Sequence, residues 1–150
     1  MKKISSFTVD HTKLQPGIYV SRIDGDITTY DLRTRKPNAG DYMDNSAMHT
    51  FEHMFATFVR NSSIAADVIY FGPMGCQTGF YLLIRNADKS VVLDCVKSIL
   101  SDITKYNGEV FGCSEVECGN YRTLSLDKAK DEAKRFLEIL NSGEQTFLYE

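Results

Sequence analysis

The segment His49-Thr50-Phe51-Glu52-His53 constrains the fold of this chain more than any other feature. An α-helix places residues four apart on one face, so His49 and His53 can reach a single metal ion only if the segment is helical. Glu52 lies on the same side of that helix. The pattern H-x-x-E-H is the inverted zincin motif, in which two imidazoles bind a divalent metal and the glutamate transfers protons beside it. We therefore predict a helix that carries a metal site; a surface helix whose two histidines face water is the alternative.

Length and composition are those of one ordinary globular domain. The chain has 150 residues, of which 43% are hydrophobic and 25% charged, and its formal net charge is -3. A chain of this size can bury its own core, and we expect a single domain over residues 1–150. The small negative charge provides no general basic field for nucleic acid or an anionic membrane. We expect a small-molecule partner, with no nucleic acid and no membrane.

The first residues and the cysteines indicate a cytoplasmic protein. Residues 1–6 contain two lysines but no apolar run of the kind found in signal peptides, and no later stretch is long enough to span a membrane. The four cysteines include no C-x-x-C pair. In a reducing compartment such thiols are buried fillers, metal ligands or nucleophiles rather than disulfides. Cys95 falls on the apolar stripe of a predicted helix, so we expect it in the core.

Hydrophobic periodicity predicts an antiparallel sheet combined with amphipathic helices. The turn Asp24-Gly25-Asp26 between two β-rich runs favours a hairpin. Cys76 is expected in the turn between two later strands, and residues 113–120 alternate as a strand does before they meet Gly119. The predicted strands are residues 18–23, 27–33, 68–71 and 80–84. The first predicted helix starts after an N-cap at Asp44, Asn45 or Ser46 and runs to about Arg60, and the other two are residues 90–106 and 127–140.

A catalytic metal site of this type takes a third protein ligand and keeps one position open for water or substrate. The candidates outside the helix are His11, Cys113, Glu117 and Cys118. Cys118 precedes Gly119, whose backbone has no Cβ and can turn a thiolate toward an ion. We therefore favour Cys118 over Glu117. A thiolate suits zinc, ferrous iron or cobalt, whereas a carboxylate would indicate a peptidase.

Five blocks of sequence, taken together, are far more specific than H-x-x-E-H alone. They are Ser6-Phe7 with Asp10-His11, Tyr30-Asp31-Leu32-Arg33 with Pro37-Asn38, the His49 to His53 motif, Pro73 to Tyr81, and Glu117-Cys118-Gly119-Asn120. A chain with these blocks resembles the S-ribosylhomocysteine lyases, the LuxS family, which makes the precursor of a bacterial quorum-sensing signal. The resemblance covers nearly the whole chain. Tyr70 departs from it, because some members carry an acid there, and no role is carried over to Tyr70.

The resemblance implies a fold, an assembly and a reaction. The implied fold is α+β, an antiparallel β-sheet with helices packed on one face, and the implied assembly is a homodimer with sites at the interface. Members of the family cleave the thioether of S-ribosylhomocysteine to homocysteine and 4,5-dihydroxy-2,3-pentanedione, by carbonyl migration along the sugar and β-elimination of sulfur. The implied cofactor is one divalent metal per subunit, with ferrous iron (Fe2+) expected and zinc (Zn2+) or cobalt (Co2+) as alternatives. By resemblance, the metal ligands are His49, His53 and Cys118, the proton carriers are Glu52 and Cys76, and the substrate contacts are Ser6, His11 and Arg33.

The residues by themselves leave two other classes of protein open. The first is a metallopeptidase in which Glu52 activates metal-bound water and Glu117 is the third ligand, although a small chain offers no obvious second lobe to hold a peptide. The second is a non-catalytic metal-binding or signalling domain, in which Cys76 would be dispensable. Without the resemblance, Arg33 reads equally well as an ordinary outward strand residue, and Asp10-His11-Thr12 as a hydrogen-bonded turn.

Overall fold

Four strands form one antiparallel sheet with the order β1-β2-β4-β3. The structure is a computed structural model and describes residues 1–150. The turn between the first two strands has φ of 60° at Gly25, a value that glycine adopts without strain, and the predicted hairpin is confirmed. The two later strands are confirmed as well. The strands are β1 (Gly17–Asp24), β2 (Ile27–Arg33), β3 (Val68–Pro73) and β4 (Gly79–Arg85).

Three helices pack on one face of this sheet, as predicted. Asp44 caps the first helix by accepting a hydrogen bond from the Ala47 N–H, and Asp88 caps the second through the Val91 N–H. None of the helices is long and apolar enough to cross a membrane. The helices are α1 (Asn45–Val59), α2 (Lys89–Lys105) and α3 (Leu126–Asn141), and short 3₁₀ helices lie at Ser5–Phe7, Ala65–Asp67 and Tyr121–Thr123. The α+β fold expected from the sequence is therefore confirmed.

The inner face of the sheet and the apolar sides of the helices form one core of 25 buried residues. The register of β2 and β4 pairs Leu32 with Phe80 on this inner face. From α1, the Phe51 ring lies 4.8 Å from that of Phe80, and the Phe55 ring lies 4.4 Å from that of Phe71, measured between centroids. These contacts fix the rotation of α1, so the edge of the helix that carries the H-x-x-E-H motif faces away from the core.

The outer face of the sheet carries polar and aromatic side chains. The register places Tyr19, Asp31 and Tyr81 beside one another on β1, β2 and β4. The segment after α3 runs along the edge strand β1, where Phe147 forms an isolated parallel bridge with Tyr19 while its own ring packs in the core. The Tyr149 ring stacks on Tyr19 at 5.0 Å between centroids, and its hydroxyl donates a hydrogen bond of 2.7 Å to Asp31. This tail therefore supports the outer face from one side.

The alternating polarity of residues 113–120 does not correspond to a strand. The segment consists of turns and unassigned backbone. The backbone N–H groups of Glu117 and Cys118 both bond to the Ser114 carbonyl, at 3.1 and 3.0 Å. Alternating polarity favours a strand only where a neighbouring strand can take up the backbone groups, and here those groups bond within the segment.

A buried ion pair joins the loop after β2 to α3. The Arg35 guanidinium donates to both carboxylate oxygens of Glu132, and the two side chains are 10% and 6% exposed. Arg35 also donates to Asp41 at 2.5 Å, and Asp41 accepts a second bond from Arg135 of α3. The network therefore holds the loop between β2 and α1 against the last helix.

Replacing Glu132 by glutamine is expected to lower the free energy of unfolding by about 3 kcal/mol, because Arg35 would stay buried beside a neutral partner. Urea unfolding of the metal-free protein at one fixed protein concentration measures this change. The control is Glu138→Gln, an exposed position on the same helix, where a change below about 0.5 kcal/mol is expected. Equal unfolding midpoints for the two variants would show that the ion pair does not stabilise the fold.

Candidate functional site

Helix α1 and the turn before Asn120 bring three potential metal ligands together. His49 and His53 lie one helical turn apart on α1, and the Cys118 thiol approaches them from the turn segment. The Cys118 Sγ lies 3.4 Å from the Nε2 of His49 and 3.8 Å from the Nε2 of His53. All three ligand atoms lie within 4.8 Å of one another. The structure therefore gathers the three residues that the sequence and the resemblance single out.

These distances fit a tetrahedral divalent ion. Metal bonds of about 2.0–2.1 Å to imidazole nitrogen and about 2.3 Å to thiolate sulfur put the two ligand atoms about 3.5 Å apart. The measured nitrogen–sulfur distances are 3.4 and 3.8 Å. Three protein ligands leave the fourth position open, as in catalytic sites. Two imidazoles and a thiolate accept zinc, ferrous iron or cobalt, so the chemistry of the donor set fits one metal ion without identifying it.

Each imidazole is oriented by a contact to its other ring nitrogen. The Nδ1 of His53 lies 2.8 Å from the Phe111 carbonyl oxygen, and the Nδ1 of His49 lies 2.7 Å from the Thr123 hydroxyl. A proton on each Nδ1 leaves the Nε2 lone pair directed toward Cys118, as metal binding requires. Burial lowers the pKa of His49, and the charge of His53 lowers it further. The neutral imidazole that binds metal is thereby favoured at His49.

Glu52 lies next to these ligands without belonging to the group. Burial raises the pKa of Glu52, and the charge of His53 offsets part of that rise. A carboxylate that has lost part of its hydration binds a proton more strongly than it would in water, which suits proton transfer. Glu52 lines a cavity of about 260 Å³. The residues that line this cavity are Asn45, Met48, His49, Glu52, Pro73 and Asn120.

Cys76 lines a different and larger cavity, of about 490 Å³. The cysteine lies in the turn between β3 and β4, where the sequence predicts it. Its Sγ lies 3.0 Å from the Thr78 hydroxyl and 3.8 Å from Nη1 of Arg33. The same cavity is lined by the three residues assigned by resemblance to substrate contacts, Ser6, His11 and Arg33. The structure therefore groups Cys76 with these three.

The Arg33 guanidinium is already engaged on one edge by a buried carboxylate. Its Nε and Nη2 donate to the two oxygens of Asp31 at 3.1 and 2.7 Å, and its Nη1 donates to Thr78 at 2.8 Å. Burial lowers the pKa of Arg33, but the charge and hydrogen bonds of Asp31 outweigh that effect and leave the pKa raised. A fixed positive charge results, with its Nη1 end beside Cys76.

The Glu52 and Cys76 cavities are neighbours, not one space. Pro73 is the only residue that lines both. Glu52 and Cys76 therefore do not face a common cavity within one chain. His11, a third-ligand candidate, lies on the Cys76 side, where its Nδ1 is 2.9 Å from the Val9 carbonyl oxygen.

Two further third-ligand candidates, Cys113 and Glu117, stay outside the group of ligand atoms. The Glu117 carboxylate accepts a hydrogen bond from the Ser114 hydroxyl at 2.5 Å. Cys113 lines a separate cavity together with Phe111 and Gly112. The group of possible ligands contains only His49, His53 and Cys118.

Sequence reasoning gave no role to Asp31, Tyr149 or Thr123, although all three shape the site. Asp31 and Arg33 are two apart on a strand and so share a face, a spacing that could have revealed the pair. Tyr149 donates to Asp31 from 118 positions away, and Thr123 contacts His49 from 74 positions away. Burial, followed by the charge of Asp31, raises the pKa of Tyr149, so its hydroxyl stays protonated as a donor. No local sequence pattern predicts either of these distant contacts.

Comparison with known proteins identifies the family. The family model for S-ribosylhomocysteinase (LuxS) matches residues 4–146. An S-ribosylhomocysteine lyase of Borreliella afzelii is 47% identical over 148 positions, which cover 95% of this chain and 94% of the relative. One from Desulfotalea psychrophila is 47% identical over 157 positions and 99% of each chain, and one from Finegoldia magna is 45% identical over 147 positions, 95% of this chain and 94% of its own. With identity at this level along nearly its whole length, this chain belongs to the LuxS family of S-ribosylhomocysteinases.

Proposed function

We propose that this protein is a metal-dependent carbon–sulfur lyase that cleaves S-ribosylhomocysteine to homocysteine and 4,5-dihydroxy-2,3-pentanedione. The named relatives support the substrate. The observation that carries the mechanism is the group of His49, His53 and Cys118 at metal-binding distances, with Glu52 beside it. The LuxS family and this donor set support the same reaction.

The reaction is a series of proton transfers followed by loss of sulfur. Each carbonyl shift along the ribose removes a proton from one carbon and delivers one to the oxygen or carbon next to it. A divalent metal, when bound, supplies the Lewis acidity that polarises the substrate's oxygens. Once the carbonyl reaches C3, removal of the C4 proton releases the C5 sulfur by β-elimination, and homocysteine leaves as a thiol. No external oxidant or reductant is required, since the substrate is rearranged and then split.

Glu52 and Cys76 are the proposed proton carriers. The partial burial of Glu52 and its position beside the metal ligands support a role as base on the metal side. For Cys76, the support is the Thr78 hydroxyl at 3.0 Å and the Arg33 guanidinium at 3.8 Å, both groups that can donate a hydrogen bond to the sulfur. A thiolate can accept a proton from one carbon and return it to the next.

Ser6, His11 and Arg33 are the proposed substrate contacts. They line the Cys76 cavity, which is large enough for a small ligand. The homocysteine part of the substrate carries a carboxylate and an amine, which polar and cationic side chains can bind. Because Asp31 occupies the Nε–Nη2 edge of Arg33 and Thr78 accepts one bond from Nη1, the proposed contact from this residue is a single hydrogen bond.

We infer a homodimer with sites at the interface. The Glu52 cavity and the Cys76 cavity share only Pro73 within one chain, so a second copy is one way to bring both groups to a substrate. Apolar side chains also stand exposed on this side of the molecule: Phe7 is 70% exposed in the Cys76 cavity, and Tyr70 is 52% exposed beside it. Exposed apolar surface around a cavity is typical of interaction sites.

Ferrous iron is the proposed native metal, with zinc and cobalt as alternatives, and the proposed location is the cytoplasm. The family resemblance supports iron, and the nitrogen–sulfur donor set is compatible with all three ions. Four free cysteines support a reducing compartment. Metal analysis of protein purified without oxygen from cells grown in unsupplemented medium identifies the ion.

Protein prepared anaerobically is expected to release free thiol from S-ribosylhomocysteine, because the cleaved thioether leaves as homocysteine. A thiol reagent measures the release, and a sample without substrate corrects for the protein's own cysteines. Removing the metal with a chelator is expected to stop the reaction, and added ferrous iron to restore it. If protein shown to contain metal released no thiol, the proposed reaction would be wrong, and a peptidase assay would follow.

Cys118→Ser is expected to lose its metal on dialysis, whereas Glu117→Gln keeps it, because only Cys118 belongs to the ligand group. Metal content after dialysis against a weak chelator measures the difference. Glu117 is exposed and adjacent in sequence, which makes it a matched control. Metal loss in the Glu117 variant alone would overturn the ligand assignment and favour the metallopeptidase alternative.

Glu52→Gln and Cys76→Ala are each expected to keep the metal and lower kcat by about 10²–10⁴, the range for a lost acid or base. A mixture of the two variants, unfolded and refolded together, tests the interface. If each site combines Glu52 of one copy with Cys76 of the other, half the dimers contain one intact site, and about a quarter of the activity returns. No recovery would place each site within a single chain.

Controls separate this test from a general loss of structure. Cys95→Ala removes a thiol that packs against the core and is expected to leave turnover unchanged. Full turnover in Cys76→Ala would exclude Cys76 as a proton carrier. Loss of metal from Glu52→Gln would make Glu52 a structural residue instead of a base.

A further inference from the structure

A hydroxyl outside the family motifs connects two of the three candidate metal ligands. Thr123 is the last residue of the short 3₁₀ helix before α3. Its Oγ1 lies 2.7 Å from His49 Nδ1 and 3.1 Å from the Asn120 carbonyl oxygen. The Asn120 N–H in turn donates to the Cys118 Sγ at 3.4 Å. Because Cys118 Sγ also lies 3.4 Å from His49 Nε2, these contacts form a closed ring through four residues.

The direction of each bond in the ring follows from which groups can donate. A threonine hydroxyl has one proton to donate and can also accept. The Asn120 carbonyl only accepts, so the Thr123 hydroxyl donates to it and accepts from His49 Nδ1. His49 therefore carries its proton on Nδ1. Its Nε2 lone pair is left directed toward Cys118, which is the arrangement that a metal ion requires.

Hydroxyls of α1 fix the position of Thr123. The Ser46 side chain donates to the Thr123 carbonyl at 2.5 Å. Two residues further on, the Ser125 N–H donates to the Thr50 hydroxyl at 2.8 Å, and that hydroxyl donates back to the Ser46 carbonyl at 2.6 Å. The Thr50 side chain is fully buried. The segment that holds Thr123 is thus attached to the same helix that carries His49.

The other histidine lacks such a side-chain partner. His53 Nδ1 bonds to the main-chain carbonyl of Phe111, which no substitution removes. The orientation of His49, in contrast, depends on one replaceable hydroxyl. The ring also links His49 to Cys118, so loss of that hydroxyl would loosen two ligands at once.

We propose that Thr123 is a positioning residue for the metal: it orients His49, holds the Cys118 turn in place, and so forms the site before the ion binds. The inference rests on the proposed function only in taking His49, His53 and Cys118 as the ligands. Partners that orient metal ligands typically contribute 10- to 100-fold, roughly, to metal affinity. A loss of that size is therefore expected when the Thr123 hydroxyl is removed.

The test measures zinc affinity by competition with a coloured chelator, without substrate. Thr123→Val keeps the shape of the side chain and removes the hydroxyl, and it is expected to weaken zinc binding about 10- to 100-fold. Thr123→Ser keeps the hydroxyl and is expected to bind as the parent protein does. The matched control is Thr57→Val, because the Thr57 hydroxyl bonds to the His53 main-chain carbonyl at 2.8 Å and to neither imidazole. Thr57→Val is also expected to bind as the parent does.

Absorption of the cobalt-loaded proteins provides a second readout. Bands from the thiolate and from tetrahedral cobalt report the arrangement of ligands. Altered bands are expected for Thr123→Val, and unchanged bands for Thr123→Ser and Thr57→Val. If Thr123→Val did not fold, as judged by circular dichroism, Thr123→Ala would take its place in both measurements.

The outcomes distinguish this inference from the proposed function. Equal zinc affinity and equal cobalt spectra for Thr123→Val and the parent would overturn the role of Thr123 and leave the lyase proposal intact. A parent protein that bound no zinc would overturn both. Lyase activity does not enter either measurement, so a protein inactive toward S-ribosylhomocysteine would still show whether Thr123 positions the metal ligands.

Discussion

The packing of α1 against the sheet is the constraint on which the rest of the site depends. Phe51 and Phe55 bury their rings against Phe71 and Phe80. Successive side chains of a helix are about 100° apart, so fixing two rings fixes the direction of every other side chain on the helix. Burial of each ring contributes about 1.5–3 kcal/mol. The contacts that stabilise the core therefore also hold the two histidines of α1 in place.

The electrostatics of the metal side, around His49 and His53, differ from those of the sheet side, around Cys76. On the metal side, the lowered pKa of His49 favours the neutral imidazole, which is the form that binds a metal ion. On the outer face of the sheet, Asp31 and Arg33 form a buried ion pair, which costs desolvation energy and is a weak source of stability. Its effect is geometric: Asp31, itself bonded by Tyr149, holds the guanidinium so that Nη1 lies beside Cys76. A positive charge is thereby fixed next to the sulfur of the proposed proton carrier.

The sequence predicted those parts of the molecule that depend on short-range order. Hydrophobic periodicity gave the four strands and three helices, and the i, i+4 spacing gave His49 and His53, because both patterns are local. Predicting Cys118 as a ligand required two further arguments, the neighbouring Gly119 and the family resemblance. Thr123 and Tyr149 were missed because their contacts depend on how distant segments fold together. The alternation at residues 113–120 likewise corresponds to no strand, since alternation cannot show whether a partner strand exists.

The contacts divide the site along a physical boundary. The metal half is built from α1, the Phe111 carbonyl and the segment from Cys118 to Ser125. The Cys76 half is built on the sheet and opens into a different cavity. The fold of one chain thus brings together the three candidate metal ligands, His49, His53 and Cys118. In the proposed homodimer, the second copy has a different role, which is to bring Glu52 and Cys76 to the same substrate.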